Sequence, residues 1–236
     1  NNTAFTKQGR GLLILNTASA RTSGTVTLAA GNLRLGIANA LDTAGVTLVL
    51  NDGELDLASD VSVNAHPVTV GGDVTIISNR ATVGNGITHT LGTLSIGTFQ
   101  LNSNYGSNVT PGTKAVLTFG ATTLLNAGAG RIFQVANDVD LTLGALTNNN
   151  PFTKQGDGLM ILNTASVRTS GTVTINTGSV RLGSASALGT AAVPVIMNTG
   201  SGLNLAINTT VNAHPLTING NAIIVSNRST AGAGIT

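Results

Sequence analysis

Apolar residues in this chain come in short alternating runs. Leu13 and Leu15, Val26 and Leu28, Leu33 and Leu35, Leu48 and Leu50, Leu55 and Leu57, and Val68 and Val70 each bracket a single residue. A period of two is the mark of a short strand with one face inside and one outside. Gly, Asn, Asp and Ser fall between the runs as turn residues, and strand starts recur roughly every eight to ten residues, the spacing of an all-β fold. No stretch of helical length carries an apolar period near 3.6. The pattern predicts an all-β chain.

The pattern also repeats. The stretch from Phe5 to Gly36 (FTKQGRGLLILNTASARTSGTVTLAAGNLRLG) returns as Phe152 to Gly183 with 8 of 32 positions changed, at an offset of 147 residues. Further on, Val63-Asn64-Ala65-His66-Pro67 returns as Val211-Asn212-Ala213-His214-Pro215 at an offset of 148. The extra residue is expected near Ser201-Gly202, opposite Glu54, as a slip absorbed in a turn. The organisation read from this is a first unit over 1–147 and a second over 148–236. The second is cut mid-unit, since Gly234-Ile235-Thr236 matches Gly86-Ile87-Thr88. Neither end reads as a cap, so the expectation is a window on a longer array or one link of an end-to-end filament.

Short strands with regular turns fit a sandwich, a barrel or a solenoid. A long tandem repeat favours the solenoid, in which each unit contacts only its neighbours. Rungs of about 20 residues would number roughly 11, stacked about 4.8 Å apart in a rod roughly 50 Å long.

Composition narrows the function. Charged residues are 8% and aromatics 3%, with no Trp and no Cys. The core must come from Leu, Val, Ile and Ala. Without Cys there are no disulfides, thiol catalysis or Cys-based metal sites. The net charge of +2 reflects scattered basic residues, without the clustered Lys, Arg and stacking aromatics of a nucleic-acid surface. No apolar run approaches the ~20 residues of a membrane helix, and no signal peptide stands at Asn1.

Residues that could carry chemistry are few. Asp52, Glu54, Asp56 and Asp60 form the one acidic cluster. On an alternating strand, Glu54 and Asp56 share a face and would serve as a cation site or a paired acid for glycoside chemistry. The bland alternative is a solvated strand face. The second copy favours that alternative, because Asp42, Asp52, Asp56, Asp60 and Asp73 meet Gly189, Thr199, Asn204, Asn208 and Asn221. Lys7, Arg21, Arg34 and Arg80, by contrast, return as Lys154, Arg168, Arg181 and Arg228. Gly71-Gly72-Asp73 has the look of a calcium-binding β-roll turn but lacks the nine-residue period. His66 and His214 sit a unit apart, each before a Pro, and are read as residues at strand starts; His89 opens the stretch of the unit, His89 through Thr147, that is missing from the second copy. Asn16, Asn163, Asn51 and Asn198 follow strands and could stack into amide ladders. The reading assigns no catalytic, cofactor-binding or metal residue, no enzyme activity, and no nucleic-acid or small-molecule partner.

The run Phe-Thr-Lys-Gln-Gly-x-Gly-Leu-x-Ile-Leu-Asn, then Ser-Gly-Thr-Val-Thr and Gly-x-x-Arg-Leu-Gly, resembles the autotransporter-associated β-strand repeat. Lys7, Gly9, Gly11, Leu13, Leu15, Gly24, Val26, Gly31, Leu33, Leu35 and Gly36 carry the likeness. So do Lys154, Gly156, Gly158, Ile161, Leu162, Gly171, Val173, Gly178, Leu182 and Gly183. Ala20-Arg21-Thr22-Ser23 departs from the family pattern. The resemblance implies a right-handed parallel β-helix in the exported passenger of a Gram-negative surface protein. Its role would be a stalk, adhesin or filament at the cell surface, associating with itself or with a host or matrix surface. A polysaccharide-binding or polysaccharide-cleaving β-helix is the alternative.

Overall fold

A computed structural model describes residues 2–232; the closing match Gly234-Ile235-Thr236 lies outside them. These residues form strands and turns with no helix. The first eight strands are β1 (Phe5–Lys7), β2 (Leu12–Leu15), β3 (Gly24–Leu28), β4 (Asn32–Leu35), β5 (Val46–Leu50), β6 (Gly53–Ala58), β7 (Val68–Val70) and β8 (Val74–Asn79). The next eight are β9 (Thr88–Thr90), β10 (Leu94–Ile96), β11 (Gln100–Tyr105), β12 (Ala115–Thr118), β13 (Thr122–Leu124), β14 (Ile132–Val135), β15 (Val139–Leu143) and β16 (Leu146–Thr147). The last eight are β17 (Phe152–Gln155), β18 (Leu159–Leu162), β19 (Val173–Ile175), β20 (Gly178–Leu182), β21 (Val195–Asn198), β22 (Ser201–Ala206), β23 (Leu216–Asn219) and β24 (Ile223–Asn227).

Every strand pair is parallel, and the strands stack into three sheets along one axis. The first sheet runs β1-β3-β5-β7-β10-β13-β16. The second, the longest, runs β2-β4-β6-β8-β11-β14-β17-β19-β21-β23. The third runs β9-β12-β15-β18-β20-β22-β24. This is a parallel β-helix. Its second sheet has ten strands, so there are ten turns rather than the eleven that a uniform rung of 20 residues predicts. Rungs are unequal: Leu48 to Val68 closes a turn in 20 residues, whereas Leu101 to Phe133 takes 32. Ten strands at about 4.8 Å span about 43 Å.

The longer rungs carry a third strand. In the first four turns the chain forms strands on the first and second sheets only, and the third side is a turn. That side is closed by Ala40, Leu41 and Val63, buried in the same core as the strands. From Thr88 onward, the alternating segments of β9, β12 and β15 put His89, Leu117 and Leu141 in register on the third side.

The third strand moves the second copy onto the next face of the rod. β1 belongs to the first sheet, but its copy β17 belongs to the second. Likewise β2 lies in the second sheet and its copy β18 in the third, and the shift persists through β8 and β24. One 147-residue unit therefore advances six turns and one face. Equivalent positions of the two copies do not stand on the same side of the rod. The strandless side moves too, and in the last turns Ala187, Leu188 and Val193 close it.

The second and third sheets and a single aliphatic core run through the boundary between the units. Phe133 and Phe152, on neighbouring turns there, meet edge to face at 5.6 Å. The one-residue slip is absorbed in a turn. Ser179 pairs with Gly202 where Asn32 pairs with Glu54, which places the extra residue at Thr199-Gly200, just ahead of the expected Ser201-Gly202.

Stacked turns also dictate where glycine recurs. Gly9, Gly31 and Gly53 follow β1, β3 and β5 at the same corner with φ of 72°, 75° and 87°. A Cβ on Gly31 would collide with the Gly9 carbonyl, and one on Gly53 with that of Gly31. The left-handed backbone and the close approach of the turn below both demand the missing side chain. Gly156 and Gly178 repeat the arrangement with φ of 80° and 65°.

Candidate functional site

Of the repeated cations, Lys7, Arg21 and Arg80 and their copies Lys154, Arg168 and Arg228 point at backbone, whereas Arg34 pairs with the Asp56 carboxylate. Lys7 Nζ donates to the carbonyls of Gln8 (3.0 Å), Gly9 (2.6 Å) and Ala30 (2.9 Å). Lys154 Nζ, its copy, donates to Gly156 (2.5 Å) and Thr177 (3.0 Å). The corner formed by the stacked glycines leaves carbonyls aimed at the ammonium, which satisfies acceptors that the sheet ladder does not reach. Burial pushes Lys154 down to about 8, partly opposed by the Asp157 carboxylate.

Arg168 is fully buried. It donates to the carbonyls of Asn148 (3.3 Å), Asn150 (3.0 Å) and Gly171 (2.6 Å), with its guanidinium 5.3 Å from the Phe152 ring centroid. Arg21 stands in the same relation to Phe5 at 5.5 Å and bonds the Thr3 carbonyl. Each Phe-Thr-Lys motif is thus paired across the turn with the Arg of Arg-Thr-Ser. Burial lowers Arg168 to about 10, and the nearby Arg131 adds to the shift. Arg131 lies in the part of the unit, His89 through Thr147, that the second copy lacks. It is buried and donates to the carbonyls of Ile96, Leu125, Asn126 and Pro151. It ties three successive turns at the unit boundary.

The histidines are structural by the same test. His66 Nδ1 donates to the Val46 carbonyl (3.1 Å), and His214 Nδ1 to that of Val193 (3.0 Å). Each lies two residues before its strand, β7 or β23, which agrees with the reading from the sequence. His89 accepts from the Val63 N–H through Nδ1 (3.3 Å) and donates from Nε2 to the Asn79 carbonyl (2.8 Å). That pattern requires a neutral ring. Burial lowers all three histidines below the ordinary 6.5.

The acidic cluster divides. Glu54 and Asp56 share the outer face of β6, and burial raises both, with Asp56 adding to the shift at Glu54. Asp56 is not a solvated side chain: it is buried, bonded by Asn79 Nδ2 at 3.1 Å and paired with Arg34 at 3.6 Å. Asp60 accepts from Thr82 N–H (3.1 Å) and Oγ1–H (2.8 Å) and pairs with Arg80 at 3.3 Å. Asp52 lies in the exposed turn before β6, outside this group. Asp73 accepts from the Gln100 N–H of the next turn (2.8 Å). Among the described residues no three His, Cys, Asp or Glu side chains converge on a common point that would hold a metal ion.

The second copy explains why the acids are exchangeable. Asn208, in place of Asp60, bonds Thr230 at its hydroxyl (3.0 Å) and accepts from its N–H (3.4 Å). Asp42 has φ 66°, and its counterpart Gly189 has φ 110°. Their carbonyls accept from the equivalent amides Asn64 and Asn212. An oxygen acceptor or a left-handed turn is what these positions require, and Asn or Gly supplies it without charge.

The amide ladder forms at one of the expected places. Asn198 bonds Asn176 (2.6 Å) and Asn219 (3.1 Å). At Asn16, Asn51 and Asn163 the next turn carries Gly36, Gly71 and Gly183, and the amide occupies the space a Cβ would need. Outside the first sheet, Thr6, Thr27, Val49, Thr69, Ser95, Thr123 and Thr147 fall in register as one uncharged stripe.

Comparison with known proteins adds no relative: no protein-family model, no curated protein and no solved structure matches this chain.

Proposed function

We propose that this chain is a length of structural rod, built for reach and stiffness rather than for chemistry, and deployed outside the cell as a stalk or filament. The observation that carries the reading is the continuity of the β-helix. One core and one ten-stranded sheet pass through the unit boundary, and Lys154, Arg168 and His214, which both copies keep, are bound to backbone carbonyls. Their retention is accounted for by holding turns together. In a solenoid stability is a sum of turns and neighbour contacts, so length can be set by copy number without redesigning a core. The extracellular setting and the surface-protein lineage rest on the resemblance of the Phe5–Gly36 motif. Self-association into fibres is part of the reading, since an uncovered parallel edge templates further strands wherever a rod of this kind stops.

Electron microscopy of the native material tests this: thin rods or filaments are expected, and compact globular particles would refute it. The alternative, a polysaccharide-cleaving β-helix, draws on Glu54 and Asp56, two neighbouring carboxyls that burial holds above their ordinary range. Turnover of an acidic polysaccharide that disappears in Asp56→Asn would favour that alternative.

A further inference from the structure

A row of polar side chains runs along the outside of the second sheet. Asn32, Glu54, Thr75, Asn102, Gln134 and Gln155 stand in register from β4 to β17. Asn176 and Asn198 extend the row, directly after the paired Ile175 and Met197. Six of these eight residues are Asn or Gln, and every strand of the row, β4 through β21, has a neighbouring strand on both sides.

The row belongs to the face and not to the repeat. From the first copy to the second, each position moves one face round the rod. Asn32, Glu54 and Thr75 leave the second sheet for the third, and there they become Ser179, Gly202 and Ile223. Ala29 and Gly71, which follow strands of the first sheet, arrive on the second as Asn176 and Asn219, while Gln8 and Asn51 arrive as Gln155 and Asn198. Positions thus lose polar reach on leaving this face and gain an amide on reaching it. A side chain needed only to hold its own turn would follow the repeat, as Lys154 and Arg168 do. A row that follows one side of the rod answers to something outside it.

The amides keep capacity for such a contact. A primary amide offers two donors and two acceptor lone pairs. Asn176, Asn198 and Asn219 spend part of theirs on one another, and among the described residues the side chains of Asn32, Gln134 and Gln155 make no hydrogen bond. The flanking outward row, Gln100, Ile132, Thr153, Thr174 and Ile196, carries no charge.

We propose that this face packs side by side against the same face of a second copy of the chain, amide row against amide row. The inference rests on the self-association proposed above and names the surface that performs it. Groups that recur every ~4.8 Å are matched by a partner with the same repeat, and facing sheets that carry Asn and Gln ladders pack closely. Eight strands of about 15 Å offer about 1,100 Å² from the two partners together, above the ~1,000 Å² that a specific interface needs. With the rows fully overlapped, parallel rods would oppose Glu54 with its own copy, whereas antiparallel rods oppose it with an amide. The two-fold contact therefore runs the rods in opposite directions.

Sedimentation of the full chain tests this. The wild type should associate with rising concentration. Gln155→Lys/Asn176→Lys should weaken association by about tenfold or more, because it buries unpaired ammonium groups. Thr69→Lys/Ser95→Lys, the same charge change on the first sheet, should leave association as it was. Asn176→Ala/Asn219→Gly should weaken it too. This variant restores the residues that the first copy holds at those turns, and circular dichroism checks that all variants fold. A wild type that stays monomeric at high concentration, or association that both lysine variants lose or keep equally, overturns the proposal. The rod reading survives either result, since micrographs decide that separately. A monomeric wild type that is retained on cellulose, and released by Gln155→Lys/Asn176→Lys, would also overturn it and give the face to a neutral glycan.

Discussion

Lys7 and Lys154 occupy the same place in the same motif, and both turn their ammonium groups onto turn carbonyls. Lys154 is completely buried, and its ammonium is the partner of two turn carbonyls. Removing such a donor leaves buried acceptors unsatisfied, at a cost of about 1–3 kcal/mol. Lys154→Ala should therefore lower stability by about 1–3 kcal/mol in denaturant titration. An unchanged unfolding midpoint would refute the role assigned to the buried cage. The histidines set a pH dependence. Their folded pKa values lie below the ordinary 6.5, so the unfolded chain binds more protons in that window. Stability is full above 6.5 and falls as the pH drops towards the folded values. Glu54, Asp56 and Asp140 act in the opposite sense, from their ordinary values of 4.5 and 3.8 upward. Thermal unfolding should shift downward between pH 7.5 and 5.5, and His89→Gln should flatten that slope. An unchanged slope would mean that His89 is not held neutral.

At the scale of elements, the corner glycines are the most sensitive points. Gly178→Ala places a Cβ against the carbonyls of Gly156 and Gly158 in a left-handed backbone. A loss above about 1 kcal/mol is expected, larger than for Gly11→Ala, where a Cβ meets nothing. Unfolding midpoints of the two variants check this. The strands themselves were legible in the sequence: Val46–Leu50 and Val68–Val70 lie where the alternation puts them. So was the interchangeability of Asp and Asn at Asp60 and Asn208. What the sequence hid was the face each strand occupies. Alternation reports inside against outside and is the same on any side of a three-sided rod. The face depends on how many strands came before, and the two-residue β16 is too short to read from pattern. Burial of Asp56 was equally illegible, because Asn79 and Arg34 reach it from other turns. Arg131 went unmarked, since a lone Arg outside the duplicated stretches gives no local sign that four carbonyls surround it.

At the scale of the whole molecule, the two copies are successive lengths of one rod, and the unit advances six turns and one face. Surface features of successive copies then face different sides, and a single-sided ligand would meet only one of them. Spin labels at Thr6 and Thr147 and at Thr6 and Thr153 measure this in the cysteine-free chain. Thr6 and Thr147 lie on the first sheet, six strand spacings apart, and Thr153 is the copy of Thr6 on the second sheet of the same turn. The account predicts a narrow distribution near about 29 Å for Thr6–Thr147 and a distance several ångströms longer for Thr6–Thr153. A Thr6–Thr153 distance equal to or shorter than that of Thr6–Thr147, or a separation set by two independent globules, would contradict it.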